Sequence, residues 1–121
     1  MSYMKYETHD MDLALIAYFD AMKADYKNDG GQGFRYDIFA DKAGSKFQRI
    51  WKTSWGQKSS HSFIVLKACT VKTMPGSKNK TLTLRVGDIL KCASWKKPAL
   101  NFVRGNILDG NYGNCSWTGA A

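Results

Sequence analysis

The sequence predicts an α+β domain in which an N-terminal amphipathic helix packs on a four- to five-stranded antiparallel β-meander. Near the start of the chain, apolar residues recur at steps of three and four, which is the spacing of one helical face. After residue 33 they alternate at every second position, in short runs separated by turn signals. One helix followed by consecutive hairpins indicates the α+β class. The length of 121 residues corresponds to about one domain, so we predict a single domain over 1–121.

The helix is predicted over residues 9–27. Its apolar face consists of Met11, Leu15, Tyr18, Phe19, Met22 and Tyr26. Thr8 or Asp10 can accept hydrogen bonds from the free amides of the first turn, where the helix dipole also favours negative charge. The glycine-rich segment 28–33 ends the helix, because glycine makes a continued helix unfavourable.

The rest of the domain is predicted to be β-structure. Strands are expected over residues 34–40, 46–55, 61–71, 80–86 and 89–95. The run at 61–71 is apolar and rich in β-branched residues, as expected of a central strand. Turn residues separate the runs, with glycines at 44, 56, 76 and 87.

Charge is distributed unevenly along the chain, whose formal net charge is +8 at pH 7. Residues 1–45 contain five Lys or Arg and eight Asp or Glu, whereas residues 46–121 contain thirteen and two. A positive field of this kind attracts anions, so we predict nucleic acid or a small phosphorylated ligand as the partner. The alternative is that the positive charge only keeps the protein soluble and binds no particular partner.

Basic and aromatic residues occur together in the second predicted strand and in the region around and beyond the last one. The candidate anion-binding residues are Arg49, Trp51, Lys52, Lys91, Trp95, Lys96, Lys97, Arg104 and Asn106. Single-stranded nucleic acid is bound by such a mixture, because flat rings stack on bases while cations neutralise phosphates. The alternative is that the tryptophans belong to the core and that Arg104 ties its connection to backbone carbonyls or to Asp109.

Enzymatic chemistry is not predicted. No glycine-rich phosphate loop of the Walker or dinucleotide type follows a strand and opens a helix. His61 with Asp88 or Asp109 could form a base and its orienting group. Cys69 or Cys92 could be a nucleophile. Structural roles are favoured for these residues, because nothing near them in the sequence supports catalysis and cysteines in apolar strands usually pack.

The cysteines, Cys69, Cys92 and Cys115, have no CxxC spacing and no histidine at a familiar zinc spacing. No metal site and no cofactor are therefore predicted. An odd number of cysteines without a signal peptide indicates a reducing compartment, and the apolar runs are far shorter than a membrane span. We expect a cytoplasmic protein with no membrane partner, and a homo-oligomer is left open.

The segment 87–106 contains a Gly-Asp turn leading into a short strand, a Trp-Lys-x-Pro-Ala motif and an Arg-Gly-Asn, in the sequence GDILKCASWKKPALNFVRGN. Together with FQRIWKTSWGQKSSHSFIV at 47–65, it resembles small hypothetical proteins encoded by tailed bacteriophages, over residues 46–109. The resemblance implies a viral accessory role in the cytoplasm of a bacterial host, by binding rather than by catalysis. We predict binding of nucleic acid, most simply single-stranded. The alternative is a counter-defence protein that sequesters a phosphorylated nucleotide signal in a closed pocket, or that masks a host enzyme.

Overall fold

The computed structural model describes residues 7–28, 36–54, 56–112, 115–116 and 119–120 of the chain. In this part of the chain there is one helix, α1 (Glu7–Asn28). The strands are β1 (Tyr36–Ala43), β2 (Phe47–Ser54), β3 (Gln57–Val65), β4 (Cys69–Lys72), β5 (Thr81–Leu84), β6 (Asp88–Leu90), β7 (Gly105–Asn106), β8 (Cys115–Ser116) and β9 (Gly119–Ala120). Five of them form an antiparallel sheet in the order β1-β2-β3-β6-β7. The predicted α+β class is confirmed.

Helix α1 packs on one face of the five-stranded sheet. The buried core on this side consists of Tyr18, Met22, Ile50, Ile64, Ile89, Ile107 and Ala120. Met11, Leu15 and Phe19 of the predicted helical face are half-buried against it. Fully burying a large apolar side chain contributes about 1.5–3 kcal/mol. The apolar face predicted from the sequence therefore holds the helix on the sheet.

The opposite face of the sheet is covered in part by the β4–β5 hairpin. Phe63, Val65 and Leu90 of the sheet are buried with Leu84 of β5. Because successive side chains of a strand point to opposite faces, Ile64 meets the helix while its two neighbours meet the hairpin. Burial on both faces explains the unbroken apolar run that predicted a central strand.

The predicted strand at 61–71 is two strands. β3 ends at Val65, where the Leu66 amide donates a hydrogen bond to the carbonyl of Lys46 at 2.7 Å and the chain then bends. β4 pairs with β5 in a separate two-stranded sheet, and β6 returns to pair with β3. The strand order therefore departs from a simple meander, because the bend after Val65 carries β4 and β5 out of the sheet.

The predicted strand at 89–95 is also shorter than expected. After β6 the chain folds back on itself, since the Ala99 amide donates to the carbonyl of Lys91 at 2.7 Å and Cys92 forms a β-bridge with Pro98. We call residues 91–99 the 91–99 hairpin. Its turn is closed by hydrogen bonds from the amides of Ala93 and Ser94 to the carbonyl of Lys97, at 3.0 and 3.1 Å.

Three short strands near the C-terminus were not predicted. β7 pairs with β6, and β8 pairs with β9. A two-residue strand is too short to show a sequence period. β9 also lies close to β3: a Cβ atom on Gly119, whose φ is +144°, would be 3.0 Å from the carbonyl oxygen of His61. Only glycine fits this approach without strain.

The first two predicted strands correspond to β1 and β2. β1 extends to Ala43, and the turn follows at Gly44, whose φ is +78°. Residues 34, 35 and 55 of the predicted strands, and the glycine-rich segment after the helix, lie outside the described residues. Within the residues that are described, no helix has the length and apolar character needed to span a membrane.

Candidate nucleic-acid interface

The pairing of β1 with β2 brings two predicted site residues together on the sheet face opposite α1. Trp51 pairs with Phe39, and Arg49 pairs with Asp41. Residues two apart on a strand share a face, whereas Ile50 between them packs in the helix-side core. The register therefore sets two aromatic rings beside an arginine–carboxylate pair.

Three aromatic rings form a connected group on this face, which we call the aromatic surface: Phe39, Trp51 and Trp95. Phe39 and Trp51 are stacked, with ring centroids 4.3 Å apart and planes 22° from parallel. Trp95, in the turn of the 91–99 hairpin, reaches Trp51 at a centroid distance of 5.9 Å. Phe39 remains 40% exposed and Trp95 37% exposed. The outer rings of the group are therefore accessible to a ligand, while Trp51 supports them from a half-buried position.

Arg49 holds Trp95 in place. Its Nε and one terminal nitrogen donate to the two carboxylate oxygens of Asp41, at 3.0 and 2.7 Å, and the other terminal nitrogen donates to the carbonyl of Trp95 at 3.2 Å. The guanidinium also lies 4.5 Å from the centroid of a Trp95 ring. Only 14% of the Arg49 side chain is exposed. Because Asp41 already binds its charge in a bidentate pair, Arg49 is a positioning residue rather than a phosphate contact.

Exposed lysines accompany the aromatic surface. The Lys58 ammonium lies 5.1 Å from the centroid of a Trp51 ring. Lys96 and Lys97 follow Trp95 in the turn and are exposed, and their amides donate to the hydroxyl of Ser94 at 3.3 and 3.2 Å. Lys91, at the base of the same hairpin, is also exposed. These ammonium groups are available to anions in solvent.

Lys52 is buried instead. Only 6% of its surface is exposed, and this burial lowers the pKa of its ammonium group. A phosphate in solvent does not reach such a group, so the assignment of Lys52 to the anion-binding set is corrected. Alternation along a strand distinguishes two faces, but it does not reveal whether neighbouring elements cover one of them.

Arg104 is buried against its own loop. One terminal nitrogen donates to the carbonyl of Phe102 at 2.7 Å and also to the side-chain oxygen of Asn101. The guanidinium lies 3.7 Å from the centroid of the Phe102 ring, and burial lowers its pKa. With 6% of its surface exposed, Arg104 has the structural role that the sequence left open as an alternative, a tie to a backbone carbonyl.

Asn106 joins β7 to the turn before β6. Its side-chain nitrogen donates to a carboxylate oxygen of Asp88 at 2.8 Å and to the carbonyl of Val86 at 3.0 Å. Its side-chain oxygen accepts from the amide of Leu108 at 2.8 Å. With this hydrogen bonding and 4% exposure, Asn106 is not an anion contact, and this assignment is corrected as well.

The candidate catalytic residues His61 and Asp88 make hydrogen bonds within the fold. His61 is 2% exposed, and its Nδ1 lies 2.9 Å from the Ser62 hydroxyl and 3.3 Å from that of Tyr18. A β-bulge at this point of the β2–β3 pairing directs two consecutive side chains, His61 and Ser62, toward the same helix residue. Asp88 accepts hydrogen bonds from the Arg85 amide and from Asn106. His61 therefore belongs to the core under the helix, and Asp88 to the β6–β7 junction.

The three cysteines are free and half-buried. Burial raises the pKa of the Cys92 and Cys115 thiols above the ordinary value of 9.0. No group of three or more His, Cys, Asp or Glu side chains that could hold a metal ion occurs among the described residues.

We expect the stability of the protein to fall as the pH rises above 9. Because the pKa of Cys92 and Cys115 is higher in the folded chain than in the unfolded chain, deprotonation favours the unfolded state in this range. The lowered pKa of Lys52 acts in the opposite direction. Urea unfolding between pH 7.5 and 10 measures the net slope, and the Cys92→Ala/Cys115→Ala variant should show a smaller loss of stability with pH. An equal loss in the variant and in the wild type would contradict this assignment.

Sequence reasoning missed two members of this site, Phe39 and Lys58. The candidates came from the second predicted strand and from the region around and beyond the last one, and neither Phe39 nor Lys58 lies in those segments. Cross-strand pairing could have indicated Phe39, since a hairpin turn near Gly44 places it opposite Trp51.

Comparison with protein-family models, with curated proteins and with solved structures finds no match to this chain.

Proposed function

We propose that this chain binds single-stranded nucleic acid, with Phe39 and Trp95 stacking on bases and with Lys58, Lys96 and Lys97 contacting phosphates. The observation that carries the proposal is the pair of exposed rings on either side of Trp51, bordered by lysines. An aromatic ring stacks on a base only where the base is free of its own neighbours, so this surface favours a single strand over a duplex.

The rigidity of the rings strengthens the proposal. Trp95 is fixed through its carbonyl and its ring by Arg49, which is fixed in turn by Asp41. Phe39 is fixed by its stack on Trp51. A preorganised ring loses little conformational entropy when a base docks on it, so more of the stacking energy remains as affinity.

A role as a viral accessory protein remains a prediction from the motif resemblance. The alternative of a nucleotide-sequestering protein requires an enclosed pocket. The rings and lysines of the aromatic surface are open to solvent, which favours a strand that lies across them over a small ligand enclosed by them.

Trp95→Ala should weaken binding of a fluorescein-labelled twelve-residue oligothymidylate by about tenfold or more, because one stacked base contributes about 1–3 kcal/mol. Fluorescence anisotropy at low salt measures the dissociation constant. Trp95→Phe keeps a ring at this position and should retain most of the affinity. Leu13→Ala is the control, since Leu13 is 62% exposed on α1 and lies on the other side of the sheet.

Two results would overturn the proposal. One is a wild-type protein that binds neither single-stranded DNA nor single-stranded RNA at low salt. The other is a Trp95→Ala protein, folded by circular dichroism, with wild-type affinity. A duplex of the same length, tested in parallel, should bind more weakly than the single strand.

A further inference from the structure

A further exposed ring, that of Phe102, lies beside a groove elsewhere on the molecule. The groove has a volume of about 520 Å³ and lies between the loop that joins β4 to β5 and the segment that follows the 91–99 hairpin. Met74, Ser77 and Lys78 line one side, and Asn101 and Phe102 line the other. We call it the Phe102 groove. Its volume falls within the range of about 300–1,000 Å³ that is typical of small-molecule sites, which is room enough for a nucleobase.

Phe102 has the properties of a stacking platform. Its ring is 52% exposed, although it is a large apolar side chain. The buried guanidinium of Arg104 lies 3.7 Å from its centroid and is anchored by the carbonyl of Phe102 itself. The Phe102 amide donates to the Asn101 side chain at 2.8 Å. The ring is therefore supported from behind and open in front, as a base-stacking ring needs to be.

The walls of the groove provide polar groups as well as the ring. Ser77 lies in the same wall, but its hydroxyl is buried, and it has no hydrogen-bond partner among the residues that the structure describes. Lys78 is exposed at the same wall and carries the positive charge that a phosphate requires. An exposed ring beside a lysine matches a nucleotide better than a purely apolar ligand.

One continuous segment of the chain connects the aromatic surface to the Phe102 groove. Trp95 and Phe102 are seven residues apart, and Lys96 and Lys97 lie between them in the chain. The Met74 amide donates to the carbonyl of Leu100 at 2.9 Å, which fixes this segment to the groove loop. At about 3.3–3.6 Å per residue, the Cα atoms of Trp95 and Phe102 are at most about 25 Å apart, a span that a short oligonucleotide can cover.

We propose that the Phe102 groove is a second base-stacking site for the same nucleic-acid strand. The strand stacks on Trp95, passes Lys96 and Lys97 with its phosphates, and places a further base on Phe102. This inference rests on the proposed function, and it adds the path of the strand and the minimum length of the ligand. Affinity should continue to rise with oligonucleotide length until both rings are occupied.

A length series of labelled oligothymidylates from two to fourteen residues tests the proposal by fluorescence anisotropy. In the wild type, the dissociation constant should fall until a strand is long enough to reach both sites. In Phe102→Ala it should stop falling at a shorter length, and the longest strand should bind about tenfold or more weakly than it binds the wild type. Phe102→Leu keeps an apolar cover over Arg104 without a ring and should behave like Phe102→Ala.

The outcomes separate the two proposals. If the wild type binds no strand of any length, the proposed function itself fails. If the wild type binds, Trp95→Ala weakens binding, and both Phe102 variants follow the wild-type length dependence, then only the second site is overturned. If Phe102→Ala weakens binding but Phe102→Leu does not, Phe102 acts by covering Arg104, and the stacking assignment is overturned. Leu13→Ala is again the control for loss of an exposed apolar side chain.

Discussion

Replacing Asn106 with leucine is expected to lower the free energy of unfolding by about 3 kcal/mol or more, because each buried polar group left without its partner costs about 1–3 kcal/mol. The substitution removes the donor to the Asp88 carboxylate and to the Val86 carbonyl, and the acceptor of the Leu108 amide. Domains of this size are stable by only about 5–15 kcal/mol. Urea unfolding at pH 7 measures the loss.

A matched substitution controls for the change from asparagine to leucine. Asn79 is exposed in the β4–β5 loop, and Asn79→Leu should change the stability by no more than about 0.5 kcal/mol. Oligonucleotide binding separates the structural role of Asn106 from the anion contact predicted from the sequence. At a temperature where Asn106→Leu is folded, its affinity should equal that of the wild type. Wild-type stability combined with weakened binding would show that Asn106 is a ligand contact.

The Asp88–Asn106 junction gives a physical account of two motifs on which the phage resemblance depends. The Gly-Asp turn and the Arg-Gly-Asn are separated in sequence, but β6 and β7 pair Asp88 directly with Asn106. Gly87 has a φ of +90°, and a Cβ atom there would lie 2.8 Å from the Asn106 side-chain oxygen. Glycine, aspartate and asparagine are therefore needed together for the turn and the junction. The structure therefore explains these motifs by contacts within the fold, and the explanation requires no ligand.

The elements that were predicted correctly are those in which burial produces a regular pattern over many residues. Helix α1 shows its apolar face over about four turns, and Tyr18, Met22 and Tyr26 of that face are buried. β3 was predicted as central because burial on both faces leaves a continuous apolar run. Each of these signals sums over many residues, so a single exception does not hide it.

The elements that were missed depend on contacts distant in sequence. β7 exists because Asp88 and Ile89 pair with Asn106 and Gly105, and two residues contain no period. The end of β6 depends on the turn at 93–97, whose hydrogen bonds are made largely by backbone atoms and by Ser94. The composition of residues 89–95 favours a strand, and nothing in that composition shows that the chain turns at 93–97.

The residues that the structure groups at the candidate site were predicted only in part. The sequence selected Trp51, Trp95 and Arg49, and the structure brings them into contact. It also selected Lys52, which is buried, because local composition does not show what covers a side chain. Local composition does not show the burial of Arg104 either. Its partners Asn101 and Phe102 lie within three residues of it, but they cover it only because the loop folds back on itself.

The double substitution Lys96→Gln/Lys97→Gln is expected to weaken binding of single-stranded DNA by about 60-fold at 0.05 M salt. Each phosphate contact on a single strand contributes about 0.7 to the slope of log affinity against log salt, so two contacts contribute about 1.4. Between 1 M and 0.05 M salt, this slope corresponds to a factor of about 60 in affinity. Both side chains are exposed beside Trp95, so their removal should leave the fold unchanged. Anisotropy titrations between 0.05 and 0.3 M salt measure both the affinity and the slope.

Lys23→Gln/Lys42→Gln is the matched control, because it removes the same two charges from elsewhere on the molecule. Lys23 is exposed on α1, and Lys42 alternates with Asp41 on β1 and therefore lies on the sheet side away from the aromatic surface. If the lysines beside Trp95 contact phosphates, only the first double variant reduces the slope by about 1.4. Equal reductions in both variants would mean that the basic charge acts as a diffuse field over the whole molecule, and the path of the strand along the 91–99 hairpin would then be wrong.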